Sequence, residues 1–356
     1  MLIDIQNLED EEDSKAYKQL INDYRKRAVT EVEKVCALCG KNVTSFCKSH
    51  TVPFSWLKNI DNQKKMLSMH SILESNWIKQ DKGASEAGVF YSICDTCDHE
   101  LFSHYENKEN YKADEPTEEM LQEIVQKILV KEIYEHRIVA KQTELMKNEL
   151  GKFYFEEVND AESETYETAV KELNKFRRKW PEFRIIYFKK LPYTVPIAYQ
   201  DQIAVFSDFE GNVINNTYIN SDKIQVLYEC ILPLENESVL LLFTLSNNKR
   251  YSKFIREFQK LDDVEKQKIM LYMMFSYSQN YFISKELETI IKNDNFVREL
   301  AGRMMLGLQE SDTEFSRLQA HIRTTLETMK NYSLDKATQL ENYLSKEYAV
   351  TNLSIQ

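Results

Sequence analysis

The sequence predicts an α+β fold dominated by helix, with an amino-terminal cysteine-rich module and a later antiparallel sheet packed by helices. Three observations predict it. With 7 Gly and 6 Pro in 356 residues the chain has few turn residues, which favours long helices over a many-stranded sandwich or barrel. Apolar residues recur at spacings of three and four in several stretches before Pro181, and short β-branched and aromatic runs follow it. Five of the six cysteines and four of the six histidines fall between Cys36 and His104.

The elements follow in order. Tyr17, Leu20, Ile21, Tyr24 and Ala28 give the segment from Glu9 to Lys34 one apolar face, so residues 1–34 read as an amino-terminal helix. Residues 35–112 form the cysteine-rich module. Within it, Thr51 to Lys79 is helix-friendly, and Trp56, Leu57, Ile60, Leu67, Ile72, Leu73 and Trp77 supply a small core. Residues 113–180 read as a long helical region. Pro116 with Glu118 and Glu119 marks a helix start, and Leu121, Ile124, Val125, Ile128, Leu129 and Ile133 continue one stripe toward Leu150-Gly151. A second helix runs from Ala161 to Lys179 and stops before Pro181. Residues 181–293 form an α+β accessory domain. Phe183–Phe188, Gln202–Phe206, Lys223–Tyr228 and Ser238–Phe243 read as strands, Glu210-Gly211-Asn212 as a hairpin turn. Helices resume near Tyr251, at Asp263–Phe275 and at Ser284–Lys292, and residues 294–356 are carboxy-terminal helices.

Composition narrows the function classes. At 42% hydrophobic and 12% aromatic, the chain can bury sizeable cores, and its length suggests two or three structural units. No apolar run approaches the ~18 residues of a membrane span, and the start of the chain runs into Glu9-Asp10-Glu11-Glu12-Asp13, so a cytoplasmic protein with no membrane partner is expected. In that reducing compartment clustered cysteines favour a metal over disulfides, while isolated Cys230 reads as a core thiol. A net charge of −11 argues against indiscriminate coating of nucleic acid. Two basic stretches nevertheless sit inside the acidic chain, one from Lys41 to Lys82 and one from Lys171 to Lys190. Each is read either as a solvated face or as a phosphate contact.

The cysteine order is that of a metal site: Cys36-Ala-Leu-Cys39, then Cys47-Lys-Ser-His50-Thr-Val-Pro53, then Cys94-Asp-Thr-Cys97-Asp98-His99. Two Cys-x-x-Cys knuckles can close one tetrahedral site, because each tight turn presents two thiolates to the same ion. Cys36, Cys39, Cys94 and Cys97 are the first choice for a structural Zn(II), with sets that use Cys47 or His50 as alternatives. Such an ion would contribute folding free energy to a module whose own core is small.

The run Cys-x-x-Cys, Ser49-His50-Thr-Val-Pro53, Cys-x-x-Cys-Asp98 resembles the zinc-ribbed HNH or treble-clef endonuclease superfamily. With Leu101-Phe102 and Glu106 it is also similar to an uncharacterised bacterial HNH-like group. The resemblance covers about a fifth of the chain and implies a ββα-metal module for it. It implies His50 as the general base that activates water, and Asp98 or His99 as a ligand to Mg(II) or another divalent ion. Lys48, Lys58, Lys64 and Lys65 would neutralise the phosphates of DNA or RNA. The chain departs from the family pattern at three points: Ser49 replaces the usual acid, Asp98 precedes a displaced His99, and Val89 replaces an asparagine.

Two function classes follow. One is a metal-dependent endonuclease, the other a noncatalytic zinc module that binds nucleic acid or a protein partner. A homodimer through the carboxy-terminal helices is a further possible assembly. Phosphate loops and nucleophile elbows are not found, in keeping with so few glycines.

Overall fold

The structure is a computed structural model that describes residues 11–61, 65–69, 78–150, 156–215, 224–302 and 333–350. It is mixed in class, with helices and an antiparallel sheet. The chain divides into two units, each built from separate stretches. Unit 1 comprises residues 1–49, 90–103 and 122–180, and unit 2 residues 50–89, 104–121 and 181–356. The cysteine-rich segment 35–112 thus contributes to both.

Unit 1 is built on long helices. Helix α1 (Glu11–Glu31) carries Tyr24 and Ala28 on the face expected from their spacing, and they pack with Ile138, Leu145 and Met146 of α4 (Glu118–Leu150). Polar contacts fix the same pair. Arg27 makes a two-pronged contact with Glu149 at 2.9 and 2.7 Å, and Gln142 Nε2 donates to the Ile21 carbonyl at 3.0 Å. Helix α5 (Glu156–Arg178) ends where Pro181 cannot continue it. The glycine expected to cap α4, Gly151, lies outside the described residues. Three short elements complete the knuckle region: β1 (Ser49–His50) pairs with β4 (Val89–Phe90), and α3 (Asp95–Leu101) follows.

Unit 2 is organised by a sheet that is seven-stranded among the described residues. Its order is β3-β2-β9-β6-β7-β8-β5, for β2 (Met66–Met69), β3 (Ile78–Lys82), β5 (Phe183–Leu191), β6 (Ile197–Ile203), β7 (Leu227–Leu234), β8 (Glu237–Leu245) and β9 (Tyr281–Ser284). Every pairing is antiparallel. All eight residues of β7 are buried, the acid Glu229 among them, which fits its largely apolar sequence. Helix α7 (Asp263–Tyr277) opens on charged residues and is buried from Ile269 to Tyr277, where its sequence is nearly all apolar or aromatic. Asp262 starts it with a capping box, accepting from the Glu265 amide at 2.8 Å while Glu265 accepts from the Asp262 amide at 3.0 Å.

Two expectations change. Among its described residues, the stretch expected to be helical from Thr51 to Lys79 holds one short helix, α2 (Phe54–Leu57), before β2 and β3. Met66–Ser68 pairs with Phe282–Ser284 of β9, and that distant pairing overrides local helix preference. Ser284, expected to begin a helix, instead ends β9, and helix α8 begins at Glu288. The Glu210-Gly211-Asn212 turn does close a hairpin-like bridge, Ser207 to Val213. Of the carboxy-terminal helices, α9 (Asn295–Gly302) is described, and residues 303–332 lie outside the described set.

Candidate metal centre

The four expected thiols come together in unit 1. The sulfurs of Cys36, Cys39, Cys94 and Cys97 all lie within 4.8 Å of one another, close enough to bind one metal ion. Cys39 and Cys94 are 3.9 Å apart, against the edge of about 3.8 Å in a tetrahedron with Zn–S bonds of ~2.3 Å. Local backbone makes this possible. Gly40 turns the first knuckle at φ +70, its amide donates to the Cys36 carbonyl at 2.9 Å, and the Cys36 amide donates to Lys41. The second knuckle opens α3, with Cys94 as N-cap and Cys97 in the first turn. The Ala37 amide donates to Ser92 and the Cys47 amide to Ile93, both at 2.8 Å, which docks one knuckle on the other.

The thiols differ electrostatically. Burial works to raise Cys36, but the amides of Cys39, Cys94 and Leu38 outweigh it and bring the group down to about 7. Cys97 is pushed up, by burial first and then by its sulfur neighbours. One divalent ion would relieve this opposition, because it would let all four thiolates ionise together.

Cys47 stands outside this set. Burial, and then the charge of Asp98, pushes its thiol up to about 11, so it is neutral near pH 7 and donates to Asp98 at 3.5 Å and Asp95 at 3.7 Å.

The structure surrounds Asp98 with donors. Ser49 Oγ donates to its Oδ1 at 2.7 Å, and Lys127 Nζ on α4 donates to the same oxygen at 3.1 Å. The Lys127 side chain is 3% exposed, and its ammonium also sits 4.1 Å from the Phe102 ring centroid. Burial works to raise the Asp98 carboxyl, but Lys127 and the hydroxyl and thiol donors outweigh it and hold the group below the usual range. A carboxylate already matched by a buried ammonium has little charge left for a second cation.

His99 is exposed on α3, and His50, assigned to unit 2, packs its ring 5.3 Å from that of Phe54. Among the described residues, the four thiols are the one group of three or more His, Cys, Asp or Glu able to share a metal. Lys48, Lys58 and Lys65 are exposed, the Lys58 ammonium lies 4.6 Å from the Phe54 ring centroid, and Lys64 lies outside the described residues. Trp56, 3% exposed, packs edge-on to Tyr105 and Tyr111, in keeping with a core role.

Sequence reasoning missed Lys127. A signal was present: this lysine lies between Val125, Ile128 and Leu129 of an apolar helical stripe, and a charge buried there calls for a partner.

Comparison of the chain with family models, with curated proteins and with solved structures found no match. Among the described residues no helix is long and apolar enough to cross a membrane.

Proposed function

We propose that Cys36, Cys39, Cys94 and Cys97 hold a structural Zn(II) in a treble-clef-like knuckle, and that the module works by binding a partner instead of cutting one. The observation that carries this reading is the state of Asp98, whose carboxylate is matched by Lys127, Ser49 and Cys47. A hydrolytic centre needs an ion with open positions beside its base, and a carboxylate neutralised from within the fold is a poor ligand for one. The first partner to test is a nucleic-acid strand met by Lys48, Lys58, Lys64 and Lys65, with a protein partner as the other arm. Six free cysteines suit a reducing, cytoplasmic setting.

A specific observation favours a second reading, the HNH-like endonuclease. Strand β1 ends on His50 and pairs with β4, which α3 follows, so that with α2, β2 and β3 as an insertion the order resembles a ββα unit. In that reading His50 takes the proton from water, and Asp98 and His99 hold Mg(II) or another divalent ion.

One experiment separates the two. Metal content of the purified chain is measured, and DNA and RNA are incubated with wild type and His50→Ala in the presence of Mg, Mn or Ni. The binding module predicts one zinc per chain, intact substrate throughout, and equal retention of nucleic acid or protein by both chains. Metal-dependent cleavage that disappears in His50→Ala at unchanged zinc content would establish the nuclease instead.

A further inference from the structure

The central sheet of unit 2 carries an acid in the middle of its most buried strand. Glu229 lies on β7 and is 0% exposed. Its cross-strand neighbours are Asp201 on β6 and Leu242 on β8. Directly opposed residues of antiparallel strands project to the same face with Cβ atoms about 5 Å apart. Two carboxyl groups therefore share one compartment, and the strand alternation puts Tyr199, Ile203, Leu227 and Ile231 on the same face, all members of one apolar core.

Hydrogen bonding distinguishes the two acids. Asp201, 8% exposed, accepts from the Ser278 hydroxyl at 2.7 Å and from the Gln202 amide at 3.1 Å. Neither carboxyl oxygen of Glu229 has a hydrogen-bond partner among the described residues. Ser278 is the C-cap of α7, so the partial negative charge of a helix end lies on the Asp201 side of the compartment. The titratable groups beside it among the described residues include phenols and a thiol. Burial first, and then Glu229 and Asp201, push up the Tyr199 phenol and the Cys230 thiol, and α7 contributes Tyr272 and Tyr277 to this core. Leu242 brings no charge from β8. An ionised carboxylate so enclosed loses its solvation without an opposite charge to replace it, and such a group keeps its proton instead.

We propose that Glu229 carries a structural proton at neutral pH, held beside Asp201 in the centre of the sheet, and that this makes the folding of unit 2 proton-linked. The direction of the linkage follows from which state holds the proton more tightly. Burial, and then the Asp201 charge, raises the folded-state carboxyl well above its ordinary value. The stability it contributes is fully present below the unfolded carboxyl value of about 4.3 and is lost as pH rises through the folded value. Alkaline conditions therefore weaken the β6–β7 pairing and the Ser278 contact that ties the end of α7 to β6.

The test is urea unfolding of the full chain at about pH 6, 7 and 8, for wild type and Glu229→Gln, a neutral side chain of the same shape. One proton predicts that the unfolding constant of wild type relative to the variant grows about tenfold per pH unit. A ratio that stays constant across this range would overturn the proposal. The wild-type chain provides a second readout that does not depend on the variant folding. With 13C at the glutamate side-chain carboxyls, infrared spectra near neutral pH should contain a protonated-carboxyl band shifted by the label, and its absence would also overturn the proposal.

Discussion

At the scale of single residues, the pair Lys127–Asp98 sets the chemistry of the knuckle region. With Lys127 3% exposed and Asp98 23% exposed, neither charge is well solvated, so removing one partner takes from the other a counter-charge that water replaces poorly. Lys127→Met and Asp98→Asn should each destabilise the chain by about 3 kcal/mol in denaturant titrations. The double variant should cost about 2 kcal/mol less than the sum of the two, and strict additivity would mean that the two side chains do not act as a pair. Such a pair is hard to read in a sequence. Asp98 was visible beside its knuckle, but a lysine on the helical stripe of α4 announces no particular partner until the helices pack.

At the scale of elements, glycine positions separate turns fixed by conformation from turns also fixed by space. Gly40 has φ +70, and a Cβ there meets nothing within 4 Å. Gly88 has φ +60, and a Cβ would lie 2.3 Å from Thr51 Oγ1 and 3.0 Å from Phe282 Cζ. Gly40→Ala should therefore cost about 1 kcal/mol, the left-handed backbone alone, whereas Gly88→Ala should cost about 2 kcal/mol or more, because backbone strain and a side-chain clash add. Thermal melts of the two variants check the order, and a reversed order would contradict the packing around Gly88. The long helices α1, α4 and α5 were legible because a period near 3.6 is a local property. Strands β2 and β9 were not, since Met66–Ser68 becomes strand by pairing with Phe282–Ser284, far away in sequence.

At the scale of the molecule, the metal centre belongs to one unit only. All four thiols lie in residues assigned to unit 1, and unit 2 has its own core around the sheet and α7. With the proposed zinc bound to these thiols, a strong chelator should melt unit 1 and leave the sheet of unit 2 folded, because the ion's binding free energy would be folding free energy where its ligands sit. Hydrogen exchange should then show protection lost at Ala37 and Cys47, whose amides dock the two knuckles, and kept along β6 to β8. Uniform loss across both units would mean that they fold as one.

The sequence by itself determined the two Cys-x-x-Cys knuckles, the long helices and the presence of an antiparallel sheet. These are local in origin: knuckle spacing, helical period and short β-branched runs need only neighbouring residues. The tertiary structure alone decided which charges meet. It set Lys127 against Asp98, Glu229 opposite Asp201, and Cys47 outside the four-thiol group, because burial and register bring together side chains that the chain itself keeps apart.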